Sequence, residues 1–427
     1  MRIDELGLNN GPGTARASAR VTWEDCSRPP VDIIFETSGS PELRGGANPH
    51  AFLAACLPPA LSHGEKRLKI DDAICPELRN GLETAAALLC QWYRPSQLPL
   101  RIETPPGLRW PTPWRAPRAG LFLSGGIDSL SALRVNRLDF PLDHPLSVKD
   151  CIFVYGFDMG VNENDADVRS RALRSVSAVA DAARANLIAV ATNIRVLDPS
   201  VDSWMYEFHG AAMAAVAHVL VDTLSTVSIA SSHELFGIVP YGTHPLLDPL
   251  FSSADMRIRH EGMNLSRLQK TQLVADWDVA LQHVRVCTRN QAEGPNCGQC
   301  RKCIRTMTAL LAIGKLGACR AFPVTTVSPD MLESVPFDAS YEVGWYAQVM
   351  PLLAKAGRQD LVAVIQRKSA GFQRHLDWLE ETDAKGIVKR LDRRYLGGRL
   401  ARLRDAFKDP QVTAQQIHER QRAGLGN

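Results

Sequence analysis

Short apolar runs alternate with longer amphipathic stretches through the middle of the chain, and this alternation limits the possible fold more than any other feature. The apolar runs are Ala119 to Leu123, Cys151 to Gly156, Leu187 to Thr192 and Val227 to Ala230. The stretches that separate them are Leu130 to Leu138, Val168 to Ala185 and Glu207 to Leu224. Each stretch is long enough for a right-handed crossover helix, so the sequence predicts an α/β fold with a doubly wound parallel sheet.

The regions on either side of this core predict three further parts of the chain. Residues 1–18 are rich in Gly, Ala and Asn, which predicts a flexible leader. Strand patterns and an amphipathic helix from Pro76 to Trp92 predict a small α+β domain over residues 19–116, which ends in a proline-rich stretch. We assign the α/β domain to residues 117–335 and expect a helical region over residues 336–427. The strand patterns are Ala19 to Trp23, Val31 to Glu36 and Pro99 to Glu103.

Composition and charge exclude several classes of protein. A chain of 427 residues with 45% hydrophobic and 22% charged residues buries a sizeable core and is neither disordered nor fibrous. It has no long uncharged apolar run and no signal-peptide pattern at its start, so we expect no membrane span and a cytoplasmic location. The net charge is only +3, but from Ala384 onward 11 Lys and Arg outnumber 4 Asp and Glu, and an anionic partner would meet this basic tail. A solvated helix face is the alternative for the tail.

The first predicted strand of the core runs into a glycine-rich turn that suits phosphate. The turn reads Leu123-Ser124-Gly125-Gly126-Ile127-Asp128-Ser129. Two glycines let backbone N–H groups approach phosphate oxygens, the serines add hydroxyl donors, and the start of the following helix adds a positive dipole. The Gly-Lys-Ser/Thr ending of a Walker A loop is missing. A strand-to-helix turn that is merely capped by Ser and Asp is the structural alternative.

Four of the ten cysteines lie close together in the sequence. Their spacing is Cys287-x9-Cys297-x2-Cys300-x2-Cys303, and four thiolates so close together are typical of a tetrahedral zinc site. An iron–sulfur cluster and four unligated core thiols are the alternatives, although ferredoxin-type clusters space their fourth cysteine differently. The other six cysteines are scattered through apolar segments, which indicates buried thiols rather than a disulfide scaffold.

Taken together, these two motifs resemble one enzyme family. Ser-Gly-Gly-Ile-Asp-Ser between a strand and a helix is similar to the signature of the PP-loop ATP pyrophosphatases. The four-cysteine spacing some 160 residues later resembles the 7-cyano-7-deazaguanine synthase (QueC) branch and its enlarged relatives in antiphage defence. The resemblance covers about Ala119 to Leu311. It implies that ATP with Mg²⁺ adenylates the carboxylate of 7-carboxy-7-deazaguanine, that pyrophosphate is released, that ammonia yields an amide or nitrile, and that Zn²⁺ is structural.

The same resemblance assigns roles to individual residues. It implies an ATP site formed by Leu123, Ser124, Gly125, Gly126, Ile127, Asp128, Ser129, Tyr155 and Gly156. Asp128 and Lys270 are the expected catalytic residues, because Leu268-Gln269-Lys270 looks like the family's Leu-x-Lys element and a lysine there would stabilise charge on the α-phosphate. A solvated helical lysine is the alternative for Lys270.

The segment expected to read the substrate departs from the family pattern. The synthases use a motif of the form Asp-x-Ser-Gly-Tyr-Pro-Asp-Cys-Arg, whereas this chain has Tyr241 to Ser253 at the corresponding place. The expected substrate-binding residues are His209, His233, His244 and Asp248. For each histidine a packed or solvent-facing role is the alternative.

The extra length of the chain leaves three further functions open. About 115 residues precede the core and about 110 follow it, which suggests a partner protein or a second copy of the chain docked on the C-terminal helices. A relative of the defence type could attach a deazaguanine to an amine of a partner protein. The basic tail allows a tRNA-modifying PP-loop enzyme as a second alternative. A nucleotide-gated binding subunit without chemistry is the third.

Overall fold

The structure is a computed structural model that describes residues 1–38, 47–107, 109, 111, 116–159, 166–287, 289, 294–337 and 340–382. The chain forms two units. The first comprises Met1–Leu89, Pro99–Cys297 and Cys319–Pro323. The second comprises Cys90–Leu98, Gly298–Ala318 and the described residues from Val324 onward.

One sheet runs through the first unit. Its ten strands in the described residues are β1 (Arg2–Gly11), β2 (Thr14–Thr22), β3 (Val31–Ser38), β4 (Arg67–Ile70), β5 (Arg101–Glu103), β6 (Ala119–Phe122), β7 (Val148–Tyr155), β8 (Asn186–Thr192), β9 (Thr226–Ala230) and β10 (Arg257–Glu261). Their order across the sheet is β10-β9-β6-β7-β8-β3-β2-β1-β4-β5. Strands β10 to β8 in this order are all mutually parallel.

The parallel half confirms the predicted α/β sheet and is compatible with a Rossmann-like fold. The helices that follow its strands are α3 (Ile127–Asp139), α4 (Ala166–Ala182), α5 (Val201–Ser203), α6 (His209–Val219), α7 (Arg267–Ala275) and α8 (Asp278–His283). If these five strands are numbered 1 to 5 along the chain, their order across the sheet is 3-2-1-4-5. The chain therefore runs from β6 to β7 and β8 on one side, and then crosses to β9 on the other side of β6. The carboxyl ends beside β6 therefore form the switch point at which such sheets bind ligands.

The N-terminal strands extend this sheet instead of preceding it, so the predicted flexible leader over residues 1–18 is wrong. Strands β1 and β2 pair as an antiparallel hairpin, and β3 joins β2 to β8 through antiparallel pairs such as Phe35 with Thr192. The sequence pattern of β2 up to Ala19 was not recognised as a strand because its buried side chains are small. Ala15, Ala17 and Ala19 point into the core at alternate positions, where a strand usually has larger residues. The strands predicted within residues 19–116 likewise belong to the common sheet.

Two helices cover the N-terminal half. Helix α2 (Pro76–Tyr93) confirms the predicted helix at Pro76 to Trp92. Helix α1 (Pro49–Ser62) was not predicted, because it holds Pro58 and Pro59 and is buried on nearly all sides, so it shows no amphipathic period. The Asn48 side chain caps it by accepting from the His50 N–H, and α1 packs against α6.

The second unit is helical as far as it is described. Its helices there are α9 (Arg301–Ala312), α10 (Pro329–Glu333), α11 (Ser340–Lys355) and α12 (Gln359–Thr382). Helix α11 packs on α9 and α12, with the Arg305 guanidinium 3.8 Å from the centre of the Trp345 ring. The predicted basic stripe from Lys389 to Arg404 lies outside the described residues. Among the helices of the described residues, none combines the length and the apolar character needed to cross a bilayer.

Two buried histidines meet where α1 packs on α6. The rings of His50 and His218 have centroids 5.5 Å apart. Nε2 of His50 accepts from the Cys75 N–H at 3.0 Å, whereas Nε2 of His218 donates to the Phe251 carbonyl at 2.7 Å. Burial lowers the pKa of His218 to about 4 and holds that of His50 well below its usual range. Both rings are therefore neutral at pH 7.

We expect this pair to make the fold acid-sensitive. A histidine whose pKa is depressed by folding contributes stability that is complete above its unfolded pKa of about 6.5 and is lost as the pH falls toward 4. For His218 the loss at pH 5 is about 2 kcal/mol. The H218Q substitution keeps an amide donor for Phe251 and cannot titrate. Urea denaturation at pH 7 and pH 5 should therefore show a smaller acid loss for H218Q, by about that amount.

H144Q, at a half-buried histidine outside the pair, is the control for this measurement. An equal acid loss in the unsubstituted chain and in H218Q would mean that His218 does not contribute.

Candidate functional site

The predicted phosphate turn lies at the carboxyl end of β6, at the switch point of the sheet. Gly125 has a φ of +79°, which other residues rarely adopt. The Ser124 hydroxyl lies 3.2 Å from the Ser129 hydroxyl and accepts from the Gly126 N–H at 3.3 Å. Helix α3 begins directly after Gly126. The side chains of Leu123 and Ile127 are buried in the core, so these two residues can offer only backbone atoms to a ligand.

Asp128 and Lys270, the two expected catalytic residues, are brought together beside this turn. Asp128 accepts from Arg267 at 2.6 Å and from the Lys270 ammonium at 3.4 Å. The ammonium also donates to the carbonyl of Ser231, directly after β9, at 2.6 Å. The Lys270 side chain is only 3% exposed, and burial lowers its pKa while Asp128 opposes that shift. A Ser266–Gln269 capping box fixes the start of α7, which carries both cations.

A further cation, Arg285, lies against the turn and was not predicted. Its backbone N–H donates to the Gly125 carbonyl at 2.8 Å. Burial lowers the pKa of its guanidinium, and the charge of Asp158 opposes that shift. Apart from its position two residues before Cys287, no pattern in the sequence marks Arg285. Arg267 could have been found, because it lies one helical turn before Lys270 and therefore shares its face.

The end of β7 supplies the residues expected near the adenosine. Gly156 has a φ of +91°, and a Cβ there would lie 1.7 Å from the Thr192 carbonyl oxygen, so only glycine fits. Tyr155 is half-buried with its ring 5.0 Å from that of Phe153, and burial raises the pKa of its hydroxyl. Gly156 thus lets β7 and the end of β8 approach closely at this edge.

The predicted substrate residues gather in a histidine cluster, made of His209, His233, His244 and Asp248 together with His260. His260 was not predicted; it lies on β10, and its Nδ1 is 2.7 Å from Oδ2 of Asp248. The other carboxylate oxygen of Asp248 accepts from the His244 N–H at 3.1 Å. Nε2 of His209 lies 3.2 Å from the Thr243 hydroxyl and its Nδ1 donates to the Trp204 carbonyl.

Aromatic contacts and charge link this cluster to the phosphate turn. The Tyr241 ring lies 5.0 Å from both the His209 and the His233 rings. Burial lowers the pKa of His233 to about 4, with Asp128 opposing and Lys270 reinforcing the shift, so the ring feels the charges beside the turn. Burial also lowers the pKa of His244 to about 4 and that of His209 below its usual value. These three rings are therefore neutral at pH 7 and lie next to a cationic region.

The four clustered cysteines converge as their spacing predicts. Their Sγ atoms all lie within 4.8 Å of one another, and Cys287, Cys300 and Cys303 are buried. Cys300 caps the start of α9, which puts Cys303 in its first turn. The Sγ of Cys287 accepts from the Arg289 N–H at 3.4 Å.

A buried asparagine holds the loop that carries the first two of these cysteines. Asn296 accepts from the N–H groups of Val286 and Cys287, and it donates to the carbonyls of Val284 and Ala321. All four of its hydrogen bonds are within 3.1 Å. This network fixes the backbone on both sides of the long Cys287–Cys297 gap.

The donor set fits a closed metal site. A tetrahedral Zn²⁺ with Zn–S distances of about 2.3 Å needs sulfurs about 3.8 Å apart, close to the arrangement present. Four thiolates leave no coordination position for a substrate. The cluster could therefore bind a structural metal such as zinc.

Comparisons with protein-family models, with curated proteins and with solved structures found no match. Positive charge beside a glycine-rich turn suits a polyphosphate, and the adjoining neutral histidines suit a polar heterocycle or an amine.

We expect one zinc ion per chain and a colourless protein. Replacing Cys300 with Ser should remove the metal and lower the melting temperature by at least about 5 °C, because metal binding to such a site is coupled to folding. Elemental analysis and thermal melting measure both effects. Replacing the half-buried Cys26 with Ser is the matched control and should change neither. Iron together with visible absorbance would contradict zinc and favour an iron–sulfur cluster.

Proposed function

We propose that the chain is an ATP-dependent enzyme of the PP-loop type that adenylates a carboxylate and releases pyrophosphate. The observation that carries this proposal is the convergence of Asp128, Lys270 and the Ser231 carbonyl beside the Ser124–Ser129 turn. A buried ammonium at the end of a strand, held by one carboxylate and one carbonyl, is a fixed charge aimed at this edge of the sheet. Such preorganised charge is what phosphoryl and nucleotidyl transfer require.

The glycine-rich turn and the cations Arg267, Lys270 and Arg285 have separate roles in the proposed reaction. The turn and Arg285 hold the β- and γ-phosphates of an ATP that carries Mg²⁺, while Arg267 and Lys270 lie beside Asp128 at the start of α3. A carboxylate oxygen of the substrate attacks the α-phosphorus, the bond from that phosphorus to the bridging oxygen breaks, and its electron pair leaves with pyrophosphate. Lys270 stabilises the charge that develops on the α-phosphate. Asp128 keeps both α7 cations in place.

We propose 7-carboxy-7-deazaguanine as the acid, on the strength of the resemblance of the two motifs to the synthase branch. An amine then displaces AMP, and ammonia gives the amide and, with a second ATP, the nitrile. His209, His233 and His244 lie where the acid would sit, and Zn²⁺ at the four cysteines contributes only to stability.

Attachment to a partner protein is a second candidate, and exposed apolar residues near the histidine cluster favour it. Phe236 is 98% exposed, and Leu235 and Leu246 are also exposed. All three lie in the segments that carry His233 and His244. Such residues suit a protein chain that delivers its own amine to the acyl-adenylate.

We expect exchange of labelled pyrophosphate into ATP only when the acid is present. K270Q removes the charge that stabilises the α-phosphate, and D128N removes the carboxylate that holds Arg267 and Lys270 in place, so each should slow this exchange at least about 100-fold. The matched control is K149Q, near the opposite end of β7. Formation of ADP and free phosphate in place of AMP and pyrophosphate would overturn the proposed function.

The nature of the product is tested separately by mass spectrometry. The protein is incubated with ATP, 7-carboxy-7-deazaguanine and ammonium, with and without the proteins encoded beside it. A free amide or nitrile supports the synthase, and a deazaguanine adduct on a neighbouring protein supports the ligase. Formation of AMP with neither product would contradict this choice of acid.

A further inference from the structure

Asp248 and His260 form a buried hydrogen-bonded pair within the histidine cluster. Asp248 is fully buried, and the side chain of His260 is 3% exposed. The 2.7 Å contact from Nδ1 to Oδ2 fixes the tautomer, since a carboxylate only accepts and Nδ1 must therefore carry the proton. In the neutral ring the lone pair then lies on Nε2, which has no hydrogen-bond partner among the described residues. An unsatisfied buried nitrogen of this kind is costly, so a fold that keeps one calls for an explanation.

His260 lies close to the residues that the proposed reaction uses. His260 pairs with Ile229 on β9, two residues before Ser231, whose carbonyl holds the Lys270 ammonium. The Ser231 hydroxyl donates to the carbonyl of His233 at 2.7 Å, so the turn after β9 places that ring close to the same ammonium. His260 is also close enough to His233 for a proton on His260 to lower the pKa of the His233 ring. The pair therefore adjoins the place where the acyl-adenylate would form.

The other histidines are less suited to take up a proton. Both ring nitrogens of His209 are already hydrogen-bonded, and Nδ1 of His244 accepts from the Leu246 N–H at 3.1 Å. Neutral rings with a pKa of about 4, as in His233 and His244, hold a proton poorly at pH 7. His260 contacts a carboxylate directly, through Nδ1. That carboxylate would stabilise the imidazolium once it forms.

We propose that His260, oriented by Asp248, accepts the proton that is released when an amine displaces AMP, a role that rests on the proposed function. The amine nitrogen bonds to the acyl carbon of the adenylate. The bond from that carbon to the phosphate oxygen breaks, and its electron pair leaves with AMP. The proton passes from the nitrogen to Nε2 of His260 and later to solvent. His260 is then a catalytic residue for the second step, and Asp248 is a positioning residue.

The test separates the two steps in the full chain. H260N keeps a side-chain amide that can donate to Asp248 in place of Nδ1 but offers no base. It should leave acid-dependent exchange of pyrophosphate into ATP within about threefold of the unsubstituted chain. The rate of amide formation from ammonium should fall about 100-fold or more, which is the usual contribution of a general base. D248N should show the same division, because it removes the charge that fixes the tautomer.

Hydroxylamine provides a second measurement. It is largely uncharged at neutral pH and strongly nucleophilic, so its reaction with the acyl-adenylate depends less on a base. Formation of the hydroxamate should therefore largely restore the second step in H260N, which a purely structural defect would not allow. The control is H144N, at a half-buried histidine outside the cluster whose Nδ1 also accepts a backbone N–H.

Each outcome bears on one proposal or on both. Intact exchange with an undiminished ammonium step in H260N would overturn the proton role alone. Exchange and amide formation slowed equally would assign His260 to acid binding and also overturn it. Absence of acid-dependent exchange in the unsubstituted chain would overturn the proposed function and the proton role with it.

Discussion

Burial of the Lys270 ammonium is the constraint on which the candidate site depends. A charge taken out of water costs several kcal/mol unless it is paired and hydrogen-bonded. Here the pairing draws three separate places together, since Asp128 begins α3, Ser231 follows β9 and Lys270 lies in α7. These segments are adjacent because parallel strands end at one edge of the sheet. The sheet thus supplies proximity, and the ammonium fixes the distances.

Charge is distributed unevenly along this edge. Arg267, Lys270 and Arg285 place positive charge around the turn at the end of β6, whereas His233 and His244 are neutral because they are buried. A ligand with an anionic end and a polar, uncharged end would match both. Burial keeps these rings unprotonated at pH 7, so it also determines the charge that the uncharged end of such a ligand would meet.

Sequence reasoning predicted the parts whose signal is local. Strands β6 to β9 contain short apolar runs, and the four cysteines and the glycine-rich turn have characteristic spacings. Each of these features can therefore be recognised within about twenty residues of sequence. Strand β10 was missed because Arg257, Arg259 and Glu261 make it polar, as befits the edge of a sheet. His260 and Arg285 could not be assigned, because their roles come from contacts with segments distant in the sequence. The Asp128–Lys270 pair was anticipated only through the resemblance, since 142 residues separate its members.

The antiparallel pairing of β3 with β8 has a consequence for the order in which the chain assembles. Phe35 and Thr192 are neighbours across the sheet, yet β3 leaves the ribosome more than 150 residues before its partner. Closing so long a loop costs entropy that only later contacts repay, and such non-local pairing slows folding. Until β8 has been synthesised, the edge of β3 that pairs with β8 has no partner in the β1–β3 meander. A nascent chain that stalls before residue 192 would therefore expose this edge, which makes the meander the segment most in need of protection during synthesis.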